Sequence, residues 1–203
     1  MYNCVDLAKF KPVETKNVEK ILEKKLPKFN FITIGTLGKG VNKRVDISIK
    51  AIAILKEKGY DIGLIVCGDG EQKEDLKKLT IDLEVESKVQ FLGMRNDIPK
   101  ILPHAFAFVH AAPYEPFGIV CIEAMACGLP AIVPNSGGIQ NIVSDKVDGY
   151  IYEHLNEKEL AFKMETLLLN SSYDNMVKSA LEKVKRYDVK LYVEELYKLY
   201  HAK

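Results

Sequence analysis

The segment from His110 to Pro130, HAAPYEPFGIVCIEAMACGLP, contains a stiff loop, a short apolar helix and a helix stop in one stretch. Pro113 and Pro116 restrict the backbone of the loop, because a proline ring fixes one of the two backbone torsion angles. Residues Ile119–Cys127 are apolar nearly all round and predict a helix with little polar surface. A glycine and a proline, at 128 and 130, predict the end of that helix.

Short apolar runs lie on both sides of this segment, and each ends at glycine, proline or a polar turn. Such runs are typical of strands buried on both faces of a parallel sheet. The runs are residues 31–34, 62–67, 89–92, 105–109, 131–133 and 150–152, and helical patterns between them cover residues 45–55, 71–83 and 119–127. The alternation predicts an α/β fold with a doubly wound, Rossmann-like parallel sheet.

The character of the chain changes after Tyr152, where the sequence becomes helical and rich in tyrosine. Helices are predicted at residues 157–170, 173–186 and 189–200. We therefore assign residues 1–152 to a Rossmann-like domain and residues 153–203 to a C-terminal helical extension.

The bulk composition excludes several classes of function. The chain has 203 residues with 47% hydrophobic residues and a formal net charge of +1, so it has enough apolar residues for a core and no global attraction for nucleic acid. No apolar stretch is long enough for a transmembrane helix, and the first ten residues do not resemble a signal peptide. The four cysteines form no C-x-x-C pair and the four histidines lack zinc-ligand spacing, so we expect reduced thiols, no metal and a cytoplasmic location.

Ligands of open parallel α/β sheets bind at the carboxyl ends of the strands, which directs attention to the loop before the helix. Gly118 opens the helix, whose first N–H groups are free to hold a phosphate. Glu115 would repel that phosphate, so we expect it to accept hydrogen bonds from sugar hydroxyls. Glu123 lies in apolar surroundings, where a carboxylate needs a partner: either ribose hydroxyls or, as a purely structural alternative, a salt bridge or a cap.

Three glycine-rich turns are weaker candidates for phosphate or nucleoside contacts. Asn135–Gly138 is either an anion-binding turn or a loop that needs glycine for its backbone shape. The segment Gly35–Gly40 lacks the spacing of known phosphate loops, although Lys39, Lys43 and Arg44 lie near it. Gly68-Asp69-Gly70 is explained by turn formation, with a nucleoside contact as the alternative.

The spacing of Glu115 and Glu123 resembles the E-x7-E signature of family 4 retaining glycosyltransferases, which have the two-domain GT-B architecture. The resemblance extends in order from Asn3 to about Tyr152. It includes the segments Asn3–Asp6, Ile34–Leu37, Cys67–Gly70, Phe91–Gly93, Ser136–Gly138 and Asp148–Tyr150. It implies the donor-binding half of an enzyme that moves a hexose from a nucleotide-diphosphate sugar to an acceptor hydroxyl in polysaccharide or glycolipid biosynthesis.

The resemblance also assigns site residues. Glu115 and Lys43 would be catalytic, and Glu123 would bind the ribose. The full set of implied donor-binding residues is Gly35, Thr36, Lys43, Gly93, Met94, Arg95, Glu115, Phe117, Gly118, Ile119, Val120 and Glu123, with the base near Gly93–Arg95. No metal or other cofactor is implied, because no Asp-x-Asp signature follows a strand.

Three positions depart from the family pattern. Thr36 stands where the family has an arginine, Arg44 replaces a glycine, and Asn141 replaces a glutamate. These changes put the strength of diphosphate binding in question, and Lys39 or Arg44 are the substitutes that we consider for the absent arginine.

The resemblance further implies an N-terminal acceptor-binding domain that is missing from this chain. We therefore expect the isolated chain to bind donor but to transfer little sugar, and we expect any peripheral membrane contact to come from that other domain. The C-terminal helices pack on the Rossmann-like domain or toward the missing one. In the second case Tyr187, Tyr192, Tyr197 and Tyr200 would form an exposed patch. The alternatives to a hexosyltransferase are a non-catalytic subunit of a glycosyltransferase complex and another nucleotide-sugar enzyme, such as a phosphorylase or epimerase. A dehydrogenase is the least favoured alternative.

Overall fold

The computed structural model describes residues 4–14, 27, 29–39 and 43–201. The strands are β1 (Phe29–Ile34), β2 (Ile62–Cys67), β3 (Val89–Gly93), β4 (Ala107–Val109), β5 (Ala131–Pro134) and β6 (Gly149–Tyr152). The α-helices are α1 (Val45–Glu57), α2 (Lys73–Asp82), α3 (Ile98–Ile101), α4 (Ile119–Ala126), α5 (Glu157–Leu168), α6 (Tyr173–Val184) and α7 (Val189–His201). Asn3 and Gly40, which were part of the sequence interpretation, lie outside the described residues.

The six strands form one parallel sheet in the order β3-β2-β1-β4-β5-β6. This is the Rossmann-type order, so the predicted fold class is confirmed. The direction of winding reverses between β1 and β4, which places a crevice at the carboxyl ends of these two strands.

Alternate residues of each central strand pack into the two faces of the sheet, as the pleat requires. Phe31 of β1 joins the apolar cluster under α1 and α5, whereas Ile32 joins the cluster that contains α4. Both side chains are fully buried. The sheet therefore has helices on both faces, and its strands read as unbroken apolar runs for that reason.

The C-terminal helices differ in how they pack. Helix α5 packs against α1 and α6 packs against α4, whereas α7 contains no buried residue. Tyr197 and Tyr200 on α7 are exposed, but Tyr187, which the sequence grouped with them, is buried at 6% exposure. That part of the predicted tyrosine patch is wrong, because the Tyr187 ring packs edge-on against Phe117.

Helix α3 begins at Ile98, where the sequence analysis predicts neither a strand nor a helix. Its proline occupies the first turn, where the missing N–H is tolerated. Among the described residues, no helix has both the length and the apolar character needed to cross a membrane.

Candidate functional site

A cavity of about 370 Å³ lies at the crevice between β1 and β4, against the first turn of α4. Its walls come from the ends of both strands, from the loop before α4 and from α4 itself. The lining residues are Ile34, Lys43, Phe108, His110, Glu115, Pro116, Phe117, Gly118, Ile119, Val120, Cys121 and Ile139. Six predicted donor-site residues therefore meet in one place: Lys43, Glu115, Phe117, Gly118, Ile119 and Val120.

The amino end of α4 is built around Gly118. This residue has a left-handed backbone, with φ at 92°, and a Cβ there would lie 2.8 Å from Cγ1 of Ile139. Among the described residues no side chain caps the helix. The N–H groups of Ile119 and Val120 have no carbonyl a turn earlier within the helix, so they and the helix dipole favour an anion in the cavity.

Lys43 and Glu115 form an ion pair across the cavity, with Nζ 2.7 Å from Oε2. Both side chains are mostly buried, at 21% and 18% exposure. Gly35 allows this geometry, because a Cβ at that position would come within 3.0 Å of the Lys43 side chain. The predicted role of Gly35 beside the donor is thus accompanied by a structural one, which is to leave room for the lysine.

The ion pair sets the charge state of Glu115. Burial alone would raise the pKa of this carboxyl, but the hydrogen bond and charge of Lys43, helped by His110 and the N–H of Phe117, hold the pKa below its usual value. Glu115 is therefore ionised at neutral pH and acts as a hydrogen-bond acceptor only.

His110 also lines the cavity, although the sequence interpretation considered the histidines only as zinc ligands. It follows β4 directly, and its side chain is 6% exposed with Nε2 3.7 Å from Oε2 of Glu115. Burial, with a smaller contribution from Lys43, lowers the pKa of His110 to about 4. The signal that could have identified it is a polar residue immediately after a buried strand, at the edge where this fold binds ligands.

Glu123 is half-buried on α4 and is not among the residues that line the cavity. It lies one helical turn beyond Val120, on the same partly exposed face of the helix. Burial raises the pKa of its carboxyl, with the charge of Lys9 acting in the opposite direction. Among the described residues no ion pair reaches this carboxylate, so the salt bridge considered as its structural alternative is not observed there.

The remaining predicted donor residues lie away from the cavity. Thr36 is exposed and does not line it, and Met94 is 80% exposed at the end of β3. Arg95 binds Asp97 through two hydrogen bonds of 2.8 and 2.7 Å. Because β3 is two strands from β1, the Gly93–Arg95 segment is displaced by about 10 Å from the cavity.

Two predicted phosphate contacts are engaged elsewhere. The N–H of Gly138 donates to the carbonyl of Glu115 at 2.8 Å, so this turn fixes the Glu115 loop instead of offering that N–H to an anion. Arg44 binds Asp46 at 2.8 and 2.9 Å and does not line the cavity. Lys39 is exposed and does not line the cavity.

Metal binding and thiol chemistry are two further functions to consider among the described residues. Within residues 4–14, 27, 29–39 and 43–201, no three metal-ligating side chains are grouped to hold a metal ion. Burial raises the pKa of Cys67 and of Cys127 to about 12 and raises that of Cys121 as well, so these thiols are poor nucleophiles.

A larger concavity of about 810 Å³ lies on the other side of Pro116 and Phe117, next to α7. Phe117 is the one predicted donor residue in its lining. Its charged side chains are of both signs, and they are Arg186, Asp188, Glu194, Glu195 and Lys198. A lining with charges of both signs does not favour an anion in the way that the first turn of α4 does.

Residues 14–184 match the family model described as glycosyl transferases group 1. The chain belongs to this family. The predicted resemblance is thereby confirmed, and the parallel sheet described above matches the fold of solved glycosyltransferases.

Two curated relatives illustrate the similarity. The UDP-Gal:alpha-D-GlcNAc-diphosphoundecaprenol alpha-1,3-galactosyltransferase of Escherichia coli is 34% identical over 74% of this chain and 40% of its own length. An N-acetylgalactosaminyltransferase of Campylobacter jejuni, which acts on a diphospho-undecaprenol-linked sugar by its name, is 31% identical over 91% of this chain and 50% of its own length. The chain thus spans half or less of these relatives.

Two solved structures have the same fold. Anabaena Alr3699/HepE in complex with UDP-glucose superposes with a TM-score of 0.85 and 25% identity, over 100% of this chain and 57% of that one. The C-terminal domain of the group 1 glycosyl transferase LpcC from Francisella tularensis has a TM-score of 0.79 and 24% identity, over 91% of this chain and 99% of that domain.

Proposed function

We propose that this chain binds the nucleotide-diphosphate sugar donor of a retaining hexosyltransferase. The observation that carries the proposal is the meeting of Lys43, Glu115 and the uncapped amino end of α4 in one cavity at the switch point of the sheet. A cation and free N–H groups suit the diphosphate, and an ionised acceptor beside them suits the hydroxyls of a sugar.

The cavity leaves room for the rest of the donor to extend along the carboxyl edge of the sheet. In this proposal the ribose hydroxyls bind Glu123, whose carboxylate has no ion-pair partner among the described residues. The base lies near Gly93–Arg95, about 10 Å from the cavity, which an extended nucleoside can cover. Thr36 and Gly35 contact the donor between these points.

The residues of the cavity favour departure of the diphosphate. As the bond to the anomeric carbon breaks, negative charge grows on the leaving phosphate, where Lys43 and the N–H groups of Ile119 and Val120 stabilise it. Glu115 is held by Lys43 and accepts hydrogen bonds from the sugar, so we do not assign it as a covalent nucleophile. Retention then arises when the acceptor hydroxyl attacks the anomeric carbon on the face that the diphosphate leaves, and the departing phosphate oxygen takes up the proton of that hydroxyl.

The relatives support this assignment. The E. coli galactosyltransferase takes UDP-galactose by its name, and the HepE structure holds UDP-glucose. Because this chain spans only part of such proteins, we propose that the acceptor site belongs to another domain. The isolated chain then binds donor and transfers little or no sugar.

A calorimetric titration tests the proposal. UDP, GDP and ADP, together with UDP-glucose, UDP-galactose and GDP-mannose, are titrated into the isolated chain and into a Glu123→Gln variant. We expect at least one nucleotide to bind and the variant to bind it more weakly, because the ribose loses a charged acceptor. Binding of none of these nucleotides would contradict the proposal, and unchanged affinity in the variant would remove the ribose role.

A second candidate is a non-catalytic module that binds the sugar nucleotide without turning it over. Lys43 is the one cation in the described lining of the cavity, and its charge is balanced by Glu115. Thr36, which stands where the family has an arginine, adds no positive charge. A product assay with the full-length protein separates the two, since the module would retain nucleotide binding and form no product.

A further inference from the structure

His110 is held rigidly beside the cavity by backbone contacts. Its N–H donates to the carbonyl of Ile132 at 3.0 Å, and its own carbonyl accepts a hydrogen bond from the hydroxyl of Tyr152 at 3.0 Å. The imidazole packs near the ring of Phe108, with 6.2 Å between ring centres. The two hydrogen bonds fix the backbone of His110, and the residue lines the cavity.

The Nε2 atom of this ring is buried and has no hydrogen-bond partner among the described residues. Oε2 of Glu115, at 3.7 Å, is too far away for a hydrogen bond, and it already accepts from Lys43. An unpaired buried nitrogen destabilises the folded chain, and an apolar side chain of similar size would avoid this. The presence of such a polar atom despite its free-energy cost indicates that a ligand supplies the missing hydrogen bond.

The charge state of the ring limits which chemical groups can bind its Nε2 atom. With its pKa lowered to about 4, the imidazole is neutral at physiological pH, so it adds no cation for a diphosphate. A neutral imidazole nitrogen either donates or accepts, depending on the tautomer. A hydroxyl satisfies both cases, because it donates one hydrogen bond and accepts two.

The spacing also suits a hydroxyl. An oxygen about 2.8 Å from Nε2 and from Oε2 of Glu115, the usual hydrogen-bond length, fits across their 3.7 Å separation. In that position the hydroxyl donates to the carboxylate and accepts from Nε2–H. Two side chains that approach from different directions can therefore bind the same sugar hydroxyl.

We propose that His110 is a specificity-determining residue that, together with Glu115, binds one hydroxyl of the donor sugar. This inference rests on the proposed function, because it requires the sugar to lie in the cavity.

The test compares the sugar-dependent part of binding in the wild-type chain with that in three variants. His110→Leu and His110→Met remove the hydrogen bond and keep an apolar side chain of similar size, whereas His110→Gln keeps a donor and an acceptor. UDP, UDP-glucose and UDP-galactose are titrated into each protein, with GDP and GDP-mannose as the second pair. The measured quantity is the ratio of the Kd of the nucleotide to the Kd of its sugar form.

We expect the apolar variants to lower this ratio about 3- to 10-fold, as loss of one hydrogen bond predicts, while the affinity for the nucleotide alone changes less than 2-fold. His110→Gln should recover at least part of the ratio. The thermal midpoints of the apolar variants should equal or exceed that of the wild type, because they remove a buried unpaired nitrogen.

The remaining outcomes decide against the proposal in different ways. If nucleotides bind but the ratio is unchanged in His110→Leu and His110→Met, His110 does not contact the sugar, and the proposed function stands. If neither apolar variant folds, the imidazole has a structural role instead. If no nucleotide or sugar nucleotide binds to the wild-type chain, the proposed function fails, and this inference fails with it.

Discussion

Replacing Lys43 with methionine tests the electrostatic centre of the candidate site. Methionine keeps an unbranched apolar stem in the space beside Gly35 but removes the ammonium that lies 2.7 Å from Glu115. In the proposed complex this ammonium contacts the diphosphate. A hydrogen bond to a charged group contributes about 1.5–3 kcal/mol, which corresponds to a 10- to 150-fold change in Kd.

The structure places the expected loss at the lower end of that range. An ammonium has three N–H donors, so Lys43 can bind a diphosphate and Glu115 together, but part of its charge is already balanced by the carboxylate. We therefore expect UDP to bind about 10- to 30-fold more weakly to Lys43→Met. The assay is a calorimetric titration at low ionic strength, repeated at higher salt, where the difference between the proteins should shrink.

Lys39→Met is the matched control, because Lys39 is an exposed lysine nearby that does not line the cavity. It should change the Kd for UDP by less than 2-fold. Equal losses in both variants would show a diffuse charge effect, and an unchanged Kd in Lys43→Met would refute the assignment of Lys43 to the diphosphate.

The same variant makes a prediction about pH and stability. The pKa of Glu115 is held below its usual value, so the ion pair stabilises the fold above the unfolded pKa of about 4.3, and this stabilisation is lost as pH falls through the folded pKa. Lys43→Met should therefore lower the free energy of unfolding by about 1 kcal/mol at pH 7. Urea denaturation at pH 3 should show a smaller difference between the two proteins.

Two further predictions concern the scaffold of the site. Gly118→Ala should destabilise the chain by about 1–3 kcal/mol more than Gly59→Ala in urea denaturation, because both glycines have positive φ but only at Gly118 would the new Cβ clash. Equal losses in the two variants would show that the clash is relieved at no cost. Lys183→Met should lower the free energy of unfolding by about 3–5 kcal/mol, since it leaves the buried carboxylate of Asp148 without its cation, whereas the exposed Lys185→Met should have little effect; equal effects of the two lysine variants would contradict this reading.

The fold was largely predictable because its signals are local. Strand β2 occupies the predicted residues 62–67, and α4 begins at the predicted Ile119. A strand buried on both faces is mostly apolar, and a glycine, a proline or a polar turn follows it, so short windows of sequence carry this information. Helix α3 carries too few residues to show a helical period, and it was missed for that reason.

The candidate site was predictable only where chemistry and position coincide in one segment. The first turn of α4 and Glu115 lie within a few residues of each other, so the loop could be identified directly. The partner of Glu115 could not, because Lys43 is 72 residues away along the chain and the pairing depends on how two loops meet. His110 has only a weak local signal, which is its position directly after a buried strand, and its burial beside Glu115 depends on how distant segments fold together.

The two carboxylates of the signature are placed in opposite electrostatic environments, and this difference supports different roles for them. At Glu115 the nearby lysine outweighs burial and holds the pKa down, whereas at Glu123 burial prevails and the pKa is raised. Pairs of acids whose environments separate their pKa values in this way typically divide tasks within a site. Glu115 is ionised without any ligand, so in the proposed complex it accepts a hydrogen bond from a sugar hydroxyl beside the phosphate. At Glu123 burial disfavours the ionised carboxylate, and in the proposed complex the ribose hydroxyls relieve this cost, so the role that we propose for Glu123 is binding.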